Sequence, residues 1–165
     1  MAGKIDYNLE RFVNAQNGVY EQALSELKAG RKTSHWMWFI FPQIAGLGTS
    51  AMAEKYAIRS AGEAAAYLAD PTLSSRLLRC VEAILSIDGR SAHDILGSPD
   101  DLKLRSSMTL FAAISDHGSP FHGDRTFLSG KVRRADDRDP QRQGLSGVDE
   151  GHAPLGFSTG TTLYA

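Results

Sequence analysis

Cysteine is almost missing from this sequence. Cys80 is the only one, so no internal disulfide and no cysteine-built metal site can form, and no metal ligand is assigned. An excess of positive charge is missing too. Lys and Arg number 18 against 19 Asp and Glu, for a net charge of −1, which removes the general electrostatic drive toward nucleic acid or an anionic membrane. No apolar run approaches the length of a membrane span, and the opening "MAGKIDYNLE" lacks the apolar core of a signal peptide, so a cytoplasmic location is expected. Convincing period-2 alternation is absent, which argues against a sheet. No segment calls for a resident cofactor.

What is there is ordinary globular composition, 42% hydrophobic and 22% charged, with helix punctuation that repeats. "NLERFVNAQ" sets Leu9, Phe12, Val13 and Gln16 at helical spacing behind Asp6 or Asn8. "VYEQALSELKAG" puts Tyr20, Ala23, Leu24 and Leu27 on one face, with Gly30 suited to its C-terminal cap. Ser50 can cap "AMAEKYAI", and Ser60 with Glu63 has capping-box spacing. Asp70 and Pro71 open a helix that Gly89 would stop, along a stripe of Leu73, Leu77, Val81, Ile84 and Leu85. "SAHDILG" is a short capped helix. Ser98 as cap, Pro99 at the first helical position and Asp100 and Asp101 in the first turn open the last one. The expected architecture is all-α: a compact multihelical single domain over residues 5–116 with about seven short helices, a buried central helix and an irregular C-terminal tail over 117–165.

The stretch "GRKTSHWMWFIFPQIAGLG" is the least typical. Trp36 to Phe41 is apolar on every face, so periodicity alone leaves both a buried strand and a buried helix open. Helices on both sides and the lack of a partner strand favour a short helix, capped by Ser34 and stopped by Pro42. "GRKTS" has the look of a P-loop end but lacks the glycine five positions earlier, and "GLGTSA" fits a dinucleotide fingerprint only loosely, without the strand that should precede it.

Arg31, Lys32 and Ser34 directly precede His35 at an expected helix start, where free N–H groups and cations attract an anion. Trp36 and Trp38 offer flat faces for a planar ligand, although packing is their commoner role. Lys103, Ser106 and Ser107 share one face of an otherwise apolar helix and call for partners if buried. Arg31, His35 and Lys103 are therefore expected to line one cavity, with Asp100 the nearest carboxylate to Lys103.

The segments "LERFVNAQ", "YEQALSELKAGRKTSHWMWFIFPQIAGLG", "MAEKYAI", "AYLADPTLSSRL" and "GSPDDLKLRSSMTLFA" together resemble an uncharacterised bacterial family, domain of unknown function 1810. Some of its members carry the label calpastatin, which we regard as mistaken. The resemblance runs from about Leu9 to Ile114. It implies a compact multihelical fold with a buried central helix and no established activity. The positions it marks are Arg31, Lys32, Ser34, His35, Trp36, Trp38, Phe41, Pro42, Gln43, Ser98, Asp100, Lys103, Ser106 and Thr109, a polar and aromatic set that suits a site better than pure packing.

The tail departs from that pattern. Of its 49 residues only 13 are apolar, and it holds 8 of the 16 glycines. Read one base out of frame with GC-rich codons, "RADDRDPQRQG" becomes GPTIAILNG, which resembles the family's ending, so a shift of the coding frame near His122 is one reading of the tail. A chain without the family's last helices would expose apolar surface and tend to aggregate or form a homodimer. For function, the first expectation is a binding or catalytic site for an anionic, nucleotide-like small molecule. Arg31, Lys32 and Lys103 would hold the anion, Trp36 or Trp38 the ring, and His35 would act as acid or base. Ser34, Gln43, Ser98, Asp100, Ser106 and Thr109 complete the ligand set. The alternative is a non-catalytic protein-interaction module. Residues 125–165 lack apolar periodicity and cannot bury enough surface to offset their ordering entropy. A chain ending near Arg125 should therefore melt within a few degrees of the full chain by calorimetry.

Overall fold

Glycine at position 30 decides where the second helix ends and how the chain turns back. α1 (Glu10–Gln16) and α2 (Tyr20–Lys28) are followed by α3 (Met37–Ile40), α4 (Ala51–Lys55), α5 (Ala61–Ala69), α6 (Pro71–Leu85), α7 (Ala92–Leu96) and α8 (Asp100–Ile114). The computed structural model describes residues 5–116 and 121. Among these the architecture is all-α, and the only β pairing is an isolated parallel bridge between Ile44 and Ile58. In that bridge Ala45 N–H donates to the Ile58 carbonyl at 2.9 Å and Ile58 N–H to the Gln43 carbonyl at 2.8 Å. No helix among the described residues is long and apolar enough to cross a membrane.

The long helices supply the frame. α6 packs on α2 and α5, and α8 on α5 and α7. Leu73, Leu77, Val81 and Ile84 of α6 are buried as their spacing predicts, while Leu85 is half-buried. α3 is the buried centre, packed against α1, α6 and α8. Trp36, Met37, Phe39, Ile40 and Phe41 are all buried there. Trp38 differs, being only partly buried. Phe12, Tyr67 and Phe111 continue this aromatic core, with Phe12 edge-on to Tyr67 at 5.1 Å and Tyr67 5.2 Å from Phe111. Phe121 is also buried and lies 5.7 Å from Phe111.

Several caps are where the residue types put them. Ser50 accepts from Ala53 N–H at 3.1 Å. Asp70 accepts from Thr72 and Leu73 N–H, both at 2.9 Å, with Pro71 at the first position. Ser91 and Asp94 form a full capping box on α7. Ser60 accepts from Glu63 N–H at 3.1 Å, but the Glu63 carboxylate reaches one residue further back, to Arg59 N–H at 2.8 Å.

Other ends differ from expectation. Ser34 does not cap α3, whose N-cap position is Trp36; its hydroxyl is turned instead to the Glu26 carboxylate, to which it donates at 2.6 Å. His35 therefore precedes the helix instead of lying in its first turn. Ser98 makes no cap on α8, and Pro99 occupies the N-cap position. The Asp101 carboxylate takes the Leu102 N–H instead, at 2.9 Å. α1 has Leu9 at its N-cap with no side-chain bond; Asp6 accepts only from Asn8 N–H, at 2.8 Å, in a tight turn ahead of it. α6 stops at Leu85, four residues before Gly89, where the Ser86 hydroxyl donates to the Ala83 carbonyl at 2.7 Å. The expected tail over 117–165, with its shifted frame, lies outside the described residues apart from Phe121.

Trp36 is 0% exposed. Replacing it by alanine should cost ~3–5 kcal/mol, whereas Trp38→Ala at a half-buried position should cost only ~1–2 kcal/mol, a difference that paired urea melts will resolve.

Candidate functional site

The site begins with a helix end. Gly30 has φ of 70°, a conformation that glycine adopts without strain. A Cβ at this position would also lie 3.2 Å from Nη1 of Arg90. Gly30 N–H donates to the Leu27 carbonyl at 3.0 Å and Arg31 N–H to the Glu26 carbonyl at 3.0 Å, the paired bonds of a Schellman motif. The chain then doubles back over its own last turn. Lys32 N–H donates to the Ile95 carbonyl at 2.8 Å, tying the return to α7.

The return passes across the buried carboxylate of Glu26. Oε2 accepts from Thr33 N–H at 2.8 Å, Ser34 N–H at 3.1 Å and the Trp36 indole N–H at 2.8 Å. Oε1 accepts from the Ser34 hydroxyl at 2.6 Å and the Gln22 amide at 3.1 Å. Burial pushes the pKa of this group up, but the bonds from the Ser34 hydroxyl, Thr33 N–H, Trp36 indole and Ser34 N–H outweigh it, and the carboxyl is held at about 2. Glu26 was not singled out from the sequence. The signal was present, because Ala23, Glu26, Leu27 and Gly30 follow the i, i+3, i+4, i+7 stripe, and an acid within an apolar stripe must find donors.

Over the faces of the two tryptophans, two lysines share one acid. Lys32 Nζ lies 2.8 Å from Asp100 Oδ2, and Lys103 Nζ lies 2.8 Å from Asp100 Oδ1. Lys32 also sits 5.2 Å from the Trp36 ring centroid and Lys103 5.0 Å from that of Trp38. Side-chain exposure is 10% for Lys32, 15% for Asp100 and 23% for Lys103. Burial raises the Asp100 pKa, and the hydrogen bonds and charges of Lys103 and Lys32 more than reverse this, leaving it below the usual range. An ammonium has three N–H donors. Each of these has one hydrogen-bond partner among the described residues, so the pair retains donors and a surplus of positive charge.

Thus Lys32, Trp36, Trp38, Asp100 and Lys103 come together. The remaining predicted residues do not join them by contact. Arg31 and His35 are exposed, and no side-chain bond among the described residues links either to Lys103. Ser34 belongs to Glu26. Ser106 donates to the Leu102 carbonyl at 3.1 Å and Thr109 to the Arg105 carbonyl at 2.9 Å, each within its own helix. Ser98 is exposed ahead of α8. Gln43 lines a different cavity, of about 250 Å³, with Ile44, Glu54, Ala57 and Arg59 among its walls. Its loop carries "GLGTSA", which leads into α4 with no strand before it. No group of three His, Cys, Asp or Glu suited to a metal occurs among the described residues.

The described residues thus form a small all-α fold with a carboxylate-anchored aromatic turn at its centre. The family described as Protein of unknown function (DUF1810) matches residues 6–135, and the chain belongs to it. The match runs beyond the expected boundary at residue 116. A crystal structure of the conserved hypothetical protein Rv1873 from Mycobacterium tuberculosis is similar, with 51% identity and a TM-score of 0.68, over 70% of this chain and 82% of that one. Among curated proteins none matches.

The Glu26 pKa is lower in the folded chain than its ordinary 4.5, so its ionised form contributes stability above about pH 4.5 that is lost as pH falls toward about 2. Glu26→Gln should be less stable than the wild type at pH 7 by roughly 3 kcal/mol and should lose less stability than the wild type across that acid range, as followed by circular dichroism melts.

Proposed function

We propose that Lys32, Asp100 and Lys103, beside Trp38, form a binding site for a small anionic molecule. The observation that carries this reading is the imbalance of charge, two ammonium groups at 2.8 Å from a single carboxylate in a mostly buried position. A structural ion pair needs one lysine. Burying a second without its own counter-ion is costly, and an incoming anion removes that cost. Each ammonium keeps donors free to meet it. Trp36 is fully buried, with its indole N–H on Glu26, so contact with a planar part of the ligand falls to Trp38. Arg31, exposed and next to Lys32 in the chain, would add long-range attraction. We assign His35 no step in it, and the reading is one of binding.

A non-catalytic interaction module is the second reading. It is favoured by Ile44 and Leu47, which are 47% and 58% exposed on one loop. Titration with AMP, a phosphomonoester, and with cyclic AMP, a phosphodiester, followed by amide shifts and melting temperature, separates the two. The binding site predicts shifts centred on Lys32 and Lys103 that Lys103→Met abolishes while the fold is retained. The interaction module predicts no ligand response in either protein, with methionine tolerated or stabilising at position 103.

A further inference from the structure

We infer that Asp100 sets the charge of the ligand, so that the site takes a monoanion, a carboxylate or a phosphodiester, in preference to a phosphomonoester dianion. This rests on the anion-binding reading above. The cluster carries two positive charges and one negative, and a single negative charge brings it to neutrality. A second one would face the Asp100 carboxylate, whose two oxygens are each 2.8 Å from the ammonium groups the ligand must use. Asp100 therefore competes for those donors and repels surplus charge.

The surrounding groups push the same way. Asp101, the next residue, has its carboxylate 3.0 Å from Nδ1 of His93, so it brings negative charge to the helix start and no spare donor. Glu26 accepts from the edge of Trp36, at the indole N–H, while Lys32 rests over the face of the same ring. Its bonds come from backbone, hydroxyl, amide and indole groups, none of them cationic. The groups in contact thus carry one net positive charge, to which the exposed Arg31 adds only at longer range. Phosphate sites at helix N-termini and arginine forks instead gather cations and N–H donors around the anion.

The probes are phenyl phosphate, a dianion at pH 8 because its second pKa is near 6, and its methyl ester, a monoanion with the same ring. Dissociation constants come from amide shifts in the full-length protein. The wild type should bind methyl phenyl phosphate at least as tightly as phenyl phosphate. Asp100→Asn keeps an acceptor for the lysines and removes the charge, and should move the preference toward the dianion by about tenfold. If the wild type prefers phenyl phosphate, or the variant leaves the ratio unchanged, the charge assignment to Asp100 is overturned while the binding site stands. If neither probe shifts Lys32 or Lys103, the binding site itself is lost. Should Asp100→Asn fail to fold, the wild-type ratio still decides.

Discussion

The Glu26 carboxylate is the point on which the middle of this protein turns. It is a charge inside an apolar stripe, and its desolvation is tolerable only because five donors converge on it. Four of the five come from the segment that follows the helix, so satisfying the charge dictates the path of residues 33–36. That path delivers Trp36 into the core and starts α3 at Met37. Remove the charge and the donors lose their common acceptor, leaving buried N–H groups without partners. The Schellman turn at Gly30 serves the same end, since it brings the returning chain within reach of the helix's own last turn.

The two tryptophans divide the region into two electrostatic halves. On one side Trp36 donates to a carboxylate saturated with neutral donors. On the other, its ring meets the Lys32 ammonium, and Trp38 meets that of Lys103. An ammonium held over an indole face is favourable when partly desolvated, so the rings help keep both lysines against one acid. The first half is closed and complete; the second retains unpaired donors and positive charge. A single indole thus meets a carboxylate at its edge and an ammonium over its face.

The helices were legible because their signals are local. Asp70 with Pro71, Ser50, and Ser91 with Asp94 act within three residues, and the stripe of α6 needs only its period. The caps that differed were taken over by contacts with other groups, such as Ser34 by Glu26 eight residues back in sequence. The lysine cluster was half legible. Lys103 and Asp100 share a helical turn, but Lys32 reaches Asp100 across a sequence separation no pattern encodes. Ser106, read on one face with Lys103 and Ser107, bonds within its own helix, and so does Thr109, a competition that short hydroxyl side chains often win. Glu26 is marked by its place in an apolar stripe, whereas Arg11 is one charged residue among many until the groups around it are known.

Arg11 has a consequence of its own. Its Nε donates to the Lys55 carbonyl at 3.0 Å, Nη1 to those of Tyr7 and Asn8 at 2.8 Å, and Nη2 to that of Ala57 at 3.0 Å and to the Glu63 carboxylate. All five N–H groups of the guanidinium are therefore used, across three separate parts of the chain. The first helix of a chain ordinarily frays, opening many times for each global unfolding event. Here α1 cannot lift away without releasing the start of the chain, the 55–57 segment and α5 together. In terms of cooperative units, α1 is expected to open together with α5 and the 55–57 segment and not as a separately fraying end.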